Sequence, residues 1–203
     1  GESLRSRRPI TRDIAEYLPA SLEIIALSAF FMAVIGINLG RLSARFSDTW
    51  LDGTIRIVSY IGIVTPAFVW AILFVLIFSY LIPIFPTTGR ISPGLTPPPR
   101  ITGSYIVDGI LTGNFKATFD TLWHIILPAL ALSMGGAAQA ARMTRASMVD
   151  NAEKDYILAA KAYGVPARLI YRRLLLKPSL IAPISIMALD IAALLGNAFL
   201  VEL

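Results

Sequence analysis

Three ionisable side chains stand in or beside otherwise apolar stretches: Glu23, His124 and Asp190. Asp190 lies eleven residues after Ser179 in the apolar run 179–200, near mid-bilayer at about 1.5 Å per helical residue. An aspartate at that depth costs about 2.5–3.5 kcal/mol on insertion scales, so it either packs against a polar group of another subunit or lines a hydrated substrate path. Asn197, seven residues on, shares its helical face. Glu23 sits near the start of its run, within reach of headgroups, and reads either as a snorkelling or cap-like acid or as a pathway group. Thr65-Pro66 interrupts a third run. Its proline frees the carbonyl four residues earlier, giving a kink that serves packing, gating or the pathway. These groups lie on separate segments, which excludes the Ser/His pair, paired aspartates or clustered ligands of an intramembrane enzyme. His124 is the sole histidine and there is no cysteine, so neither a catalytic residue nor a metal site is expected.

The elements that hold these groups follow from composition. Of 203 residues, 56% are hydrophobic and 15% charged, with mean hydropathy +0.69, which makes lipid the expected solvent. Apolar runs at about 19–39, 57–82, 122–141 and 179–200 predict an all-α, polytopic transmembrane helical bundle with four spans. Small residues four apart, Gly136/Ala140 and Ala137/Ala141, and again Ala188, Ala192 and Gly196, imply helices that approach closely. The segment 83–121 is rich in proline and glycine, and its apolar patch Ser104 to Leu111 is too short to span, predicting a folded extracytoplasmic cap. With segments 40–56 and 142–178 inside, 11 Lys and Arg lie inside against 7 outside, which favours that orientation. The net charge of +5 therefore reads as membrane topology rather than nucleic-acid binding.

Segment 142–178 is longer than a connection between spans requires. Tyr156, Ala159, Ala160 and Tyr163 recur at i, i+3, i+4 and i+7, flanked by Asp155 and Lys161. Gly164 suits a left-handed position after a helix, and Pro166 the first turn of the next. Arg168, Arg172 and Arg173 alternate with Leu169, Ile170, Leu174 and Leu175 as a basic amphipathic helix on the membrane surface. The result is an anchored corner built to meet something.

Ala159-Ala160, Gly164, Leu174 and Leu176 in this order resemble the Glu-Ala-Ala loop of the membrane subunits of ATP-binding-cassette importers. Arg7-Arg8-Pro9, Leu18-Pro19-Ala20-Ser21-Leu22-Glu23, Thr65-Pro66-Ala67-Phe68, Ile126-Leu127-Pro128-Ala129 and Arg142-Met143-Thr144-Arg145-Ala146-Ser147-Met148 are similar to the dipeptide, oligopeptide and nickel branch of that family. Leu158 stands where the general motif has glutamate, and Lys177-Pro178 displaces the closing proline by one.

The resemblance implies the type I importer permease fold with six spans, one of them expected before Gly1 and one after Leu203, so that the chain is a piece of a longer protein. It implies the multi-pass permease subunit of a prokaryotic plasma (inner) membrane importer, carrying peptides, or nickel or another small solute, by alternating access. Implied partners are a second homologous permease subunit, two cytoplasmic ATPase subunits and an extracytoplasmic substrate-binding protein. The chain has no glycine-rich phosphate loop ending in Lys-Ser/Thr, so it binds no cofactor of its own, and ATP and magnesium belong to the partner ATPases. On this reading Asp155, Tyr156, Ala159, Ala160, Lys161, Tyr163 and Gly164 dock the ATPase, with Arg168 and Arg172 as flanking charge. A secondary transporter or channel working alone, and a non-transporting membrane scaffold, remain the competing classes.

Overall fold

The computed structural model describes residues 10–202, with side chains over 14–196. No strand occurs among the described residues. Helix α1 runs Ile10–Arg45, α2 Trp50–Val64, α3 Ala67–Val75, α4 Tyr105–Leu111 and α5 Phe115–Ala152. Then follow α6 Asp155–Ala162, α7 Ala167–Leu169, α8 Lys177–Ser179 and α9 Ile181–Glu202. Wider π-helical turns extend α3 over Leu76–Leu81 and join α7 to α8 over Ile170–Leu176. Among the described residues three helical stretches are long and apolar enough to cross a membrane, Ile14–Arg45, Phe115–Ala152 and Ala167–Gly196, and α2 with the extended α3 makes a fourth if taken as one broken span.

The prolines act in two ways. Pro19 lies inside α1 without ending it, and the Ala15 carbonyl that it deprives of a helical partner accepts from Arg100 Nη2 at 3.1 Å. Pro66 instead stops the helix. Thr65 is extended at φ −79°, ψ 121°, because a residue before proline is driven out of the helical region. Stretch 57–82 is therefore two helices where one kinked helix was expected.

The chain divides into two compact units. One comprises Ala29–Pro66 and Ser133–Asp190. Within it, the partner implied by the small residues of α5 is the chain's own α1. A Cβ at Gly36 would lie 2.6 Å from Ala140 Cβ, and one at Gly40 would lie 2.5 Å from Ala141 O. The two glycines, four apart, let the backbones meet. On α2, a Cβ at Gly62 would come within 2.7 Å of Ala138 Cβ, so α5 packs closely on two neighbours. Ala188, Ala192 and Gly196 of α9, by contrast, are exposed.

The other unit comprises the described residues up to Ser28, Ala67–Leu132 and those from Ile191. Its proline-rich segment is a folded cap. Ser104 caps α4 by accepting from Val107 N at 3.1 Å. Asp108, one turn on and buried, accepts from Thr102 Oγ1 and N at 2.7 Å, Gly103 N at 3.0 Å and Ile101 N at 3.1 Å. Burial opposes ionisation, but these donors outweigh it and hold the carboxyl at about 2. A carboxyl lowered in the folded state stabilises the fold above its unfolded value of about 3.9, and that contribution disappears as pH falls through the folded value. Amide exchange over 101–104 in the purified protein is expected to accelerate between pH 4 and 2, following the lowered carboxyl. An Asp108→Asn variant should show no such acceleration beyond the intrinsic pH dependence; acceleration in it equal to wild type would refute the assignment.

Candidate docking site

The corner formed by α6, Gly164 and the π-helical turn has its own small core. Ile157, Ala160 and Ile170 are buried, with Val165, Leu174 and Leu175 packed against them. Ile157 and Ala160, three residues apart, define the inward stripe of α6, so the opposite stripe faces outward. Asp155, Tyr156, Ala159, Lys161 and Tyr163 are exposed, Tyr163 at 88%. Ala160, expected on the docking face, lies in this core. The four-residue pattern spanned more arc than one contact surface, and the side nearest Ile157 turned inward. Leu158, in the position of the missing glutamate, is 54% exposed and extends the apolar part of the outer face.

The turn after α6 follows from its glycine. Gly164 has φ +73°; its amide donates to Lys161 O at 3.0 Å and Val165 N donates to Ala160 O at 3.0 Å. This paired closure, with Val165 packed on the Ala160 cluster, is a Schellman motif. Pro166 stands at the N-cap, one place before the expected first turn, and its carbonyl accepts from Leu169 N at 2.8 Å. Arg168 and Arg172 are exposed beyond it.

Three contacts tie the corner to the helices of the same unit. Asn151 Nδ2, at the end of α5, donates to Ser179 Oγ at 2.9 Å, and that buried hydroxyl lies 2.7 Å from Leu175 O and 3.1 Å from Ser147 O. Arg41 Nε of α1 donates to Tyr171 Oη at 3.5 Å. Further along α5, Arg145 donates Nε to Asp52 Oδ1 at 2.6 Å and Nη2 to Oδ2 at 2.7 Å. Asp52 is fully buried and also accepts from Ser43 Oγ at 2.5 Å and Asp48 N at 3.2 Å. This bidentate, multiply bonded pair locks α1, the turn after it, α2 and α5 together, and it has no counterpart in the sequence reading. Arg145 entered there only as loop charge and as part of a motif. Ninety-three residues separate the partners, and no local spacing joins them.

The residues expected along a substrate path are dispersed. Glu23 is buried and saturated: Arg90 Nη2 donates to it at 2.8 Å, Ser104 Oγ at 2.6 Å and Ile106 N at 2.9 Å. These bonds tie it to the cap. Arg90 in turn lies 4.0 Å from the Tyr105 ring centroid, a cation–π contact. Thr65 is half-buried and Pro66 exposed at the helix break. Asp190 is half-buried, with one carboxylate oxygen buried and no hydrogen-bond partner among the described residues. The Asn197 side chain lies outside the described residues. No cluster of metal-ligating side chains occurs among the described residues, and His124 Nδ1 lies 2.8 Å from its own helix's Asp120 O.

Residues 36–203 match the family described as binding-protein-dependent transport system inner membrane component. The chain is 37% identical over 202 residues to the probable D,D-dipeptide transport system permease protein DdpB of Escherichia coli K12, covering 100% of this chain and 59% of that protein. It is 34% identical over 202 residues to the dipeptide transport system permease protein DppB of Alkalihalophilus pseudofirmus, with 100% and 60% covered. It is 30% identical over 202 residues to the glutathione transport system permease protein GsiC of Pectobacterium atrosepticum, with 100% and 56% covered. The chain thus spans less than two thirds of the length of these relatives.

Proposed function

Because the chain belongs to the family of binding-protein-dependent transport system inner membrane components, we propose that it forms the transmembrane path of an ATP-driven peptide importer and is moved through its 142–178 segment by separate ATPase subunits. The observation that carries this reading is the exposed face of Tyr156, Leu158, Ala159 and Tyr163, held on a core of its own and tied to α1 and α5. A loose tether would absorb a pull, whereas a corner bonded at both ends passes it to the spans. ATP-driven closure of the two ATPases would draw this corner and that of a second permease subunit together and open the path outward. Hydrolysis in the partners, with their ATP and magnesium, would return it inward.

Segments 40–56 and 142–178 then face the cytoplasm, and the cap around α4 faces the extracytoplasmic binding protein. The contact of Asp52 with Arg145 supports placing both inner segments on one side. The exposed small residues Ala188, Ala192 and Gly196 are suited to a second permease subunit. Peptide is the substrate class favoured by the printed functions of the relatives, which name a D,D-dipeptide, a dipeptide and glutathione. Asp190, Asn197, Thr65 and Pro66 are the residues of this chain placed on its route.

The test is uptake by the full-length permease in proteoliposomes, with its ATPase subunits and binding protein. Labelled dipeptide is expected to accumulate only with ATP and all partners present, and the ATPase subunits are expected to co-purify in detergent. Uptake that persists with the ATPase subunits left out would overturn the reading in favour of a transporter working alone.

A further inference from the structure

A cleft between α2 and α5 gathers three arginines whose charge the chain does not balance. Its walls include Arg56, Ser59 and Tyr60 from α2 and Arg142 and Arg145 from α5. Arg145 is fully engaged by Asp52. Arg56 reaches the same carboxylate only at 3.8 Å, with its side chain half exposed, and Arg142 is exposed with no acidic partner among the described residues. With Asp48 also acting on Arg145, two carboxylates face three guanidinium groups, which leaves the cleft positive, the Arg142 fork free and the Arg56 fork only loosely held, for an anion.

The surroundings specify the kind of anion. Arg56 directly precedes the apolar run 57–82 and Arg142 directly follows the run 122–141, so both stand at the level where headgroup phosphates lie. From the cleft, Ile57, Tyr60, Ile61 and Val64 continue along α2 at i, i+3, i+4 and i+7, all exposed. Trp50, 80% exposed at the start of α2, marks the same interface. A positive cleft opening onto an apolar helical stripe complements a molecule with an anionic head and hydrocarbon tails.

We propose that this cleft binds the phosphate of an anionic phospholipid through Arg56 and Arg142, with the acyl chains along the exposed face of α2. A free phosphate would use the arginines and leave the stripe unused. A zwitterionic lipid would use the stripe and gain little from the charge.

Native mass spectrometry of the full-length transporter complex in detergent, with phosphatidylglycerol or phosphatidylcholine added at equal concentration, tests this. Phosphatidylglycerol is expected to be retained preferentially. Retention should fall about five-fold in Arg142→Gln and about twenty-five-fold in Arg56→Gln combined with Arg142→Gln, from the usual contribution of each basic residue near an anionic surface. Lys116→Gln, removing one exposed charge elsewhere, should leave retention unchanged. Undiminished retention in the double variant would overturn the proposal. If that variant does not fold, the unmodified complex decides. Equal retention of both lipids would mean that the apolar stripe holds them without the arginines, and displacement of the lipid by inorganic phosphate alone would mean a free-anion site; either overturns the assignment.

Discussion

Replacing Asp52 with alanine is expected to destabilise the protein by about 3–5 kcal/mol, the usual cost of leaving one member of a buried ion pair without its partner. The arrangement makes the upper part of that range reasonable. Asp52 is fully buried and takes both guanidinium bonds of Arg145 together with those of Ser43 and the Asp48 amide. The loss leaves the largely buried Arg145 without its counter-charge beside two further arginines. Arg145→Ala should cost a similar amount by stranding the carboxylate. Arg145→Lys should recover only part of it, because an ammonium offers a point charge where the geometry asks for a planar fork. The combination Asp52→Leu with Arg145→Leu should be milder than either alanine variant, since both charges then vanish together and apolar replacement of a buried pair is often neutral. Thermal unfolding of the purified variants in detergent measures all four. A double variant as unstable as the sum of the singles would show that the two side chains act independently, contrary to their geometry.

That pair also marks the limit of what the chain discloses before it folds. The apolar runs, the short apolar patch within the proline-rich segment and the helix stop at Gly164 were legible because each rests on local chemistry: hydropathy over a span, a run too short to cross, a residue without Cβ. The partner of the small-residue stripe on α5 was half legible. The stripe announced a close neighbour, but the matching Gly36 and Gly40 lie in another run, and only the fold brings them against Ala140 and Ala141. The partners of Glu23 were not legible, because an acid in an apolar helix looks unsatisfied until the cap supplies Arg90, Ser104 and the Ile106 amide from 67, 81 and 83 residues away. The burial of Ala160 was not legible because a face drawn from i, i+3, i+4 and i+7 does not say which of its edges turns toward the core. Residues joined by a helical period could be grouped in advance; those joined only by a chain reversal could not.

Gly164→Asp is expected to abolish coupled uptake while leaving the membrane protein folded. Glycine is present because φ is +73°, a region that aspartate and asparagine tolerate far better than other residues with a side chain. A Cβ there would meet no atom of this chain within 4 Å. The substitution therefore creates no internal clash but strains the backbone by up to about 1 kcal/mol, and its thermal unfolding should fall only slightly. Its consequence falls outside the chain, on whatever rests against Tyr156, Leu158, Ala159 and Tyr163. An uncompensated carboxylate pressed into that contact should cost about 2–5 kcal/mol, weakening ATPase association by about thirty-fold or more. Gly164→Asn separates charge from bulk, because it occupies the same space and the same backbone region without ionising, and it should retain more binding than aspartate. Gly164→Val distinguishes a third cause, since a β-branched side chain is strained at this φ and should lower the melting temperature as well as uptake. Co-purification of the ATPase subunits, dipeptide uptake and thermal unfolding on the same three preparations tell these effects apart. Wild-type uptake in Gly164→Asp would remove the corner from the path of force and leave it an anchored turn at the membrane surface.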